Sequence, residues 1–173
     1  LRAAASLNAW LPQPVFMFPG QGAQYPGMGR ALHAEDPVFR TAFDDCIRCF
    51  DGLLDFDLRE RMFTDDAAAL TPTSVTQPAT FALEYALARQ LMAPGVKPAA
   101  MIGHSVGEFA AAVLAGVMRL EDAARLVARR GALMQALPAG TMLSVRMAAA
   151  DLLPLLPDDI SLAADNGPAV CVA

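Results

Sequence analysis

Residues 100–112 read AMIGHSVGEFAAA: a short apolar run, two glycines enclosing His104, Ser105 and Val106, and then an alanine-rich run. No other stretch constrains the fold as strongly, because it passes from a buried strand to a helix through a turn too sharp for most side chains. Gly103 and Gly107 give the bend the backbone freedom it needs. The reading is a strand at Ala99–Ile102, a turn at Gly103–Gly107, and a helix from Glu108 that ends near Gly116.

Ser105 then sits at a helix N-terminus, where free backbone amides and the helix dipole favour a developing oxyanion. The pattern G-x-S-x-G between strand and helix is that of a nucleophile elbow, so Ser105 is read as a nucleophile. A glycine-rich loop that matched by chance would have no reason to carry the flanking strand and helix. A serine hydroxyl needs a base within hydrogen-bond reach, usually histidine. The chain has two histidines. His104 adjoins Ser105, but neighbouring side chains on a sharp turn point in different directions. His33, in the polar stretch RALHAED, reads as an exposed residue. The base is therefore expected from outside these 173 residues.

The same strand-then-loop grammar appears earlier. Pro14–Phe18, PVFMF, reads as a strand that runs into the glycine-rich loop PGQGAQYPGMG. Helices follow: one opened by Asp36-Pro37, one over Asp55–Met62, and one over TQPATFALEYALARQLM with Pro78 near its start. Pro94, Gly95 and Pro98 then break the pattern. LEDAARLVARRGALMQAL gives a further helix, with Glu121 and Asp122 suited to its N-terminal end. Strands alternating with helices argue for an α/β unit with a mainly parallel sheet. From Gly140 the texture changes to a strand in GTMLSVR, a short helix in AADLLPLL, and a hairpin in ISLAADNGPAVCVA turning at Asn166-Gly167. This β-α-β-β order is the beginning of a ferredoxin-like unit. The expected organisation is a linker over residues 1–13, a larger α/β unit over 14–139, and part of a small subdomain over 140–173. A start at Leu1 and a strand-like end at AVCVA read as a piece of a longer polypeptide.

Composition excludes several function classes. A net charge of −5 without a cluster of Lys or Arg does not fit nucleic-acid binding. The longest uncharged apolar stretch, Phe109–Met118, is far shorter than the roughly 20 residues that span a bilayer, so a soluble protein is expected. Three cysteines give an odd count and no disulfide framework, so a reducing, cytoplasmic setting is expected. Cys46-x-x-Cys49 lacks a second pair or histidine at zinc spacing. It sits among Phe39, Phe43, Ile47 and Phe50 on one helical face, which indicates helix packing and no metal site.

On the helix from Leu120 to Leu137, Ala123, Leu126, Val127, Arg130, Met134 and Leu137 fall on one face, with Arg130 in the middle of an apolar stripe. A guanidinium there needs an anionic partner. Two readings stay open from spacing alone. One is an internal carboxylate pair or a side chain that snorkels outward; the other is a bidentate clamp for a substrate carboxylate.

Together FPGQGAQYPGMG, TQPATFALEYAL, GHSVGEFAAAVLAGV and RLVARRGALM resemble, in order and spacing, the malonyl-CoA:acyl carrier protein transacylases and the acyltransferase domains of polyketide and fatty acid synthases. The resemblance covers the chain after about Pro14 and the front part of the family's domain. It implies an α/β-hydrolase-like large subdomain and a ferredoxin-like small one. It implies Ser105 as the acylated nucleophile, an oxyanion hole at Gln21 and Val106, and Gln77 and His104 beside the substrate. It makes Arg130 the holder of a malonyl-type carboxylate, which resolves the two readings above.

The implied reaction is ping-pong acyl transfer from an acyl-CoA to the phosphopantetheine thiol of an acyl carrier protein, with no bound cofactor. Neighbouring synthase domains are the further partners. In the family a histidine beyond the small subdomain is the general base, so these residues alone are expected to be inactive. Val106 and TQPATFAL resemble malonyl-selecting more than methylmalonyl-selecting domains, and the segment before Pro14 favours a domain of a modular synthase over a free-standing enzyme. Two rivals stand beside this reading. An α/β-hydrolase esterase shares the elbow, but its usual HGGG-type loop is missing here. A non-catalytic remnant used for docking has no chemical need for Gln21, Ser105 and Arg130.

Overall fold

The computed structural model describes residues 13–138 and 140–173. They divide into two compact units at Leu137/Pro138. The linker expected over residues 1–13 falls, Gln13 apart, outside the described residues.

In the first unit, β1 (Val15–Phe18) and β2 (Ala100–Gly103) run parallel, in register from Val15 opposite Ala100 to Phe18 opposite Gly103. The α/β class read from the sequence is thus the observed one. Around this pair lie α1 (Arg30–Glu35), α2 (Pro37–Arg48), α3 (Leu58–Phe63), α4 (Thr73–Met92), α5 (Gly107–Leu114) and α6 (Leu120–Gln135). The Asp36 side chain caps α2 by accepting from the Val38 and Phe39 amides, and Pro37 fills the first turn. Phe39, Phe43, Cys46, Ile47 and Phe50 make the buried face of this helical segment against α4. Of α4's residues, twelve are buried, on all sides of the helix, which is why it shows no polar face.

Several boundaries differ from the sequence reading, each for a local reason. α3 begins at Leu58 rather than Asp55, because the Asp57 side chain caps it by accepting from the Glu60 amide. α4 begins three residues before Thr76, straight after the extended Pro72. α1, which the polar text did not announce, starts after Gly29 at φ +82°. His33 within it is not a loose surface residue. Its Nε2 lies 2.8 Å from Asp44 Oδ1, and its ring packs edge-on to Phe43 and Phe63.

The largest correction concerns α6. Its buried residues are Ala123, Ala124, Val127, Ala128 and Gly131, whereas Leu126 is 50% exposed and Met134 43%. The helix turns its small residues, not its large ones, toward α4. At Gly131 an added Cβ would lie 3.2 Å from both Ser74 Cα and the Thr73 carbonyl oxygen, so the two backbones approach too closely for leucine. Arg130 therefore lies at the border of the buried face and not in the centre of an apolar stripe.

The second unit holds β3 (Ser144–Val145), α7 (Ala149–Leu152), β4 (Ala164–Gly167) and β5 (Val170–Val172). The strand order is β3-β5-β4, with both outer strands antiparallel to β5. β3 and β4 are therefore parallel with a strand inserted between them, the split βαβ arrangement of ferredoxin-like units. The strand read over 140–146 is only two residues long, and Pro154 turns the end of the expected 149–156 helix into a short 3₁₀ turn over Leu153–Leu155. The hairpin turns at Pro168-Ala169 and not at Asn166-Gly167, because a bulge between Asp165 and Gly167 keeps that pair within β4. No described helix is long and apolar enough to cross a membrane.

One carboxylate lies in the first unit's core. Glu84 on α4 is 6% exposed, neither of its oxygens has a hydrogen-bond partner among the described residues, and burial pushes it up to about 8. Because the folded state holds this proton and the unfolded state releases it above about 4.5, stability should fall as pH rises from about 5 to 8. Glu84→Gln in this chain is expected to flatten that slope and raise the urea midpoint at pH 8 more than at pH 5. A parallel pH dependence in both proteins would contradict it.

Candidate active site

The elbow is built from the backbone outward. The His104 amide donates to the Phe18 carbonyl at 2.9 Å, which ties the turn to the end of β1. Ser105 then takes φ +54°, the one non-glycine positive φ among the described residues. This left-handed conformation costs about 1–2 kcal/mol for an L-residue and persists because its neighbours leave no other path. A Cβ on Gly103 would fall 2.2 Å from the Glu108 nitrogen, and one on Gly107 would fall 2.4 Å from the Phe18 carbonyl oxygen. Both glycines of the motif are thus required by space. The glycine-rich loop after β1 also crosses closely, since a Cβ on Gly20 would lie 2.6 Å from His104 Nδ1.

The turn uses its own amides selectively. Gly107 donates to the His104 carbonyl at 3.0 Å and Glu108 to the Ser105 carbonyl at 3.2 Å. The Val106 and Gln21 amides have no acceptor among the described residues. Val106 has its side chain fully buried beneath the elbow, while Ser105 and His104 are exposed.

Arg130 reaches the serine from α6. Its Nη2 donates to Ser105 Oγ at 2.9 Å, and its Nη1 is buried without an acceptor. A guanidinium presents a planar fork suited to two acceptors, and here one prong holds a hydroxyl while the other holds nothing. An unsatisfied buried donor of this kind costs about 1–3 kcal/mol. Gln77, almost wholly buried on α4, donates from Nε2 to Met134 Sδ at 3.1 Å, and its Oε1 is unpaired. An acceptor and a donor without partners thus lie on helices that pack against each other.

Gln21 is exposed on its loop, and its Nε2 donates to Thr73 Oγ1 at 3.2 Å. The Thr73 amide in turn donates to Gln135 Oε1 at 2.6 Å. The structure therefore brings Ser105 and Arg130 into direct contact, links Gln77 to α6 through Met134, and ties Gln21 to the start of α4. His104 makes no hydrogen bond to Ser105 among the described residues. Thr73 and Gln135 were missed by the sequence reading, and periodicity offered no signal for them, because both act from helix ends. Two grooves of the first unit lie elsewhere: about 640 Å³ beside Tyr85 and Arg89, and about 440 Å³ along β1.

A strand, a left-handed serine between two space-limited glycines, and a helix make the strand–turn–helix geometry that nucleophile elbows share. The chain belongs to the acyl transferase domain family, whose profile matches residues 15–173. It is 51% identical over 159 residues to mycoketide-CoA synthase of Mycobacterium tuberculosis, covering 91% of this chain and 4% of that protein. Among solved structures it resembles the acyltransferase domain of the second module of the salinomycin polyketide synthase, with 48% identity and a TM-score of 0.87, over 95% of this chain and 39% of that one. It also resembles the Synechocystis malonyl-CoA:ACP transacylase, with 29% identity and a TM-score of 0.81, over 93% of this chain and 54% of that one. The chain thus spans a small fraction of the synthase and about two-fifths to half of the solved chains.

Gly103→Ala and Gly107→Ala should each destabilise the protein by about 3 kcal/mol or more, since the clash is with backbone that cannot move aside. Gly140→Ala, which meets nothing within 4 Å, should be near neutral. Urea denaturation of the three variants tests this, and equal midpoints would refute the close approach.

Proposed function

We propose that this chain is the nucleophile-bearing part of an acyltransferase that moves a malonyl-type unit from coenzyme A to the phosphopantetheine thiol of an acyl carrier protein. The observation that carries the reading is the Arg130 fork, with Nη2 on Ser105 Oγ and Nη1 buried and unpaired. A dicarboxylic acyl group offers what both positions lack: a carbonyl carbon for Ser105 and a free carboxylate for the guanidinium. Support for the substrate class comes also from the Synechocystis transacylase, whose name states malonyl-CoA and the carrier protein.

In this reaction Ser105 Oγ attacks the thioester carbonyl, the C–S bond breaks, and coenzyme A leaves as its thiol with the serine's proton delivered through a base. The Val106 and Gln21 amides hold the oxyanion of the tetrahedral intermediate. The carrier's thiol then attacks the Ser105 ester, and the serine recovers its proton. Coenzyme A takes part as substrate, and no resident cofactor is called for. Malonyl is preferred to methylmalonyl as the unit transferred. The proton acceptor is a histidine from the part of the domain that the longer relatives have and these residues do not span. Gln77 and His104 line the acyl group, and the neighbouring synthase domains present the carrier.

In the domain at the length of its solved relatives, mass spectrometry after incubation with malonyl-CoA should find one malonyl adduct, on Ser105, absent from Ser105→Ala. An adduct at another residue would refute the nucleophile. Release of free malonate without transfer to any carrier protein would favour an esterase. Arg130→Ala should lower malonyl transfer by about 10- to 100-fold, the worth of a charge-assisted pair, and acetyl transfer by much less. Equal losses for the two acyl groups would remove the clamp.

A further inference from the structure

The start of α4 is held from outside the helix. Pro72 precedes it and makes no side-chain cap, and a first-turn amide has no carbonyl within its own helix to meet. Gln135, the last residue of α6, supplies the acceptor: its Oε1 takes the Thr73 amide at 2.6 Å. The Thr73 hydroxyl in turn accepts from Gln21 Nε2 at 3.2 Å. Thr73 thus joins two distant residues, one through its backbone and one through its side chain.

This chain of contacts runs from a rigid base to a pliable loop. At the base, a Cβ on Gly131 would lie 3.2 Å from both the Thr73 carbonyl oxygen and Ser74 Cα, so α6 and the start of α4 meet backbone to backbone. In the loop, Gly22 takes φ +116° with open space around it, and its amide donates to Gln24 Oε1 at 2.8 Å. Gly20, on the other side of Gln21, lies against His104. Glycine gives a backbone more freedom than any other residue, so an amide set between two glycines needs an outside tie to keep one direction. The Gln21 side chain is that tie.

We propose that Thr73 and Gln135 are positioning residues for acyl transfer, which together hold the Gln21 amide in place opposite the Val106 amide to receive the oxyanion. The inference rests on the acyl-transfer reading. Neither side chain touches a reacting atom: Thr73 acts through the Gln21 side chain, and Gln135 acts through the Thr73 backbone. The oxyanion forms with every acyl group, so this strut serves malonyl and acetyl alike, whereas Arg130 serves only a free carboxylate. The oxyanion also forms only after attack, so the strut governs the rate of Ser105 acylation and not the binding of the acyl-CoA.

The test uses the domain at the length of its solved relatives and follows Ser105 acylation by mass spectrometry in single turnovers, with malonyl-CoA and with acetyl-CoA. Thr73→Val keeps the shape and removes the acceptor; it should slow acylation about 10-fold with both donors and leave the half-saturating concentration within about twofold. Thr73→Ser should restore the rate. Gln21→Leu removes the other end of the same bond at an exposed position, which keeps the test available where Thr73→Val does not fold. It should slow acylation to the same extent and add no further loss when combined with Thr73→Val. Gln135→Leu should slow both donors in the same direction. Unchanged rates in Thr73→Val or Gln21→Leu, with Ser105 acylated in the unaltered domain, would overturn the strut alone. A loss confined to malonyl-CoA would place the effect on Arg130 and overturn it too, as would a Thr73→Ser variant as slow as Thr73→Val. An unaltered domain that takes no malonyl on Ser105 would overturn the acyl-transfer reading, and the strut with it.

Discussion

Everything at the candidate site hangs on the approach of two backbones: the end of β1 and the elbow. The Phe18 carbonyl receives the His104 amide, and the same oxygen lies where a Cβ on Gly107 would have to be. One short strand therefore fixes both the entry to the turn and the start of α5. With those two points held, Ser105 has no freedom to relax from its left-handed conformation, and its hydroxyl is delivered to the place that Arg130 reaches from α6. Space does the positioning, and the hydrogen bonds record it.

α6 shows a different economy. Its contact face is alanine, valine and glycine, so it sits very near α4, and that nearness is what lets Arg130 and Met134 reach toward residues on other elements. A face of leucines would have held the helices farther apart. Thr73 adds a second tie at one end of the pair, taking a donor from Gln21 and giving one to Gln135. The loop after β1, the start of α4 and the end of α6 are thereby joined by side chains, in a region where no described strand runs.

What the sequence made legible follows from this physics. The sharp turn was readable because space demands glycine at two fixed positions between a strand and a helix. The Asp36-Pro37 helix start was readable because caps are local. The face of α6 was not, since a hydrophobic stripe was inferred from residue size while the packing selected residues for smallness. Met134 and Leu126 look like core in the text and stand at the surface in the fold. His33 went the other way: polar neighbours suggested solvent, but two phenylalanines and Asp44 enclose it. The unpaired oxygens of Glu84 had no sequence signal at all, because only burial reveals them. In the small subdomain a bulge moved the turn by two residues, a shift that an Asn-Gly pair alone does not announce.

The two clashes at Gly103 and Gly107 also bear on how such a motif can diversify. Of its five letters, two are closed to any side chain, the third carries the hydroxyl, and Val106 is sealed beneath the turn, where a change of volume would have to be absorbed by the surrounding core. Besides the serine itself, position 104, exposed above Gly20, is the one that can be exchanged without rebuilding the interior. Drift within the motif is thus funnelled into outward side chains, and any larger change has to be written on the surrounding loops and helices.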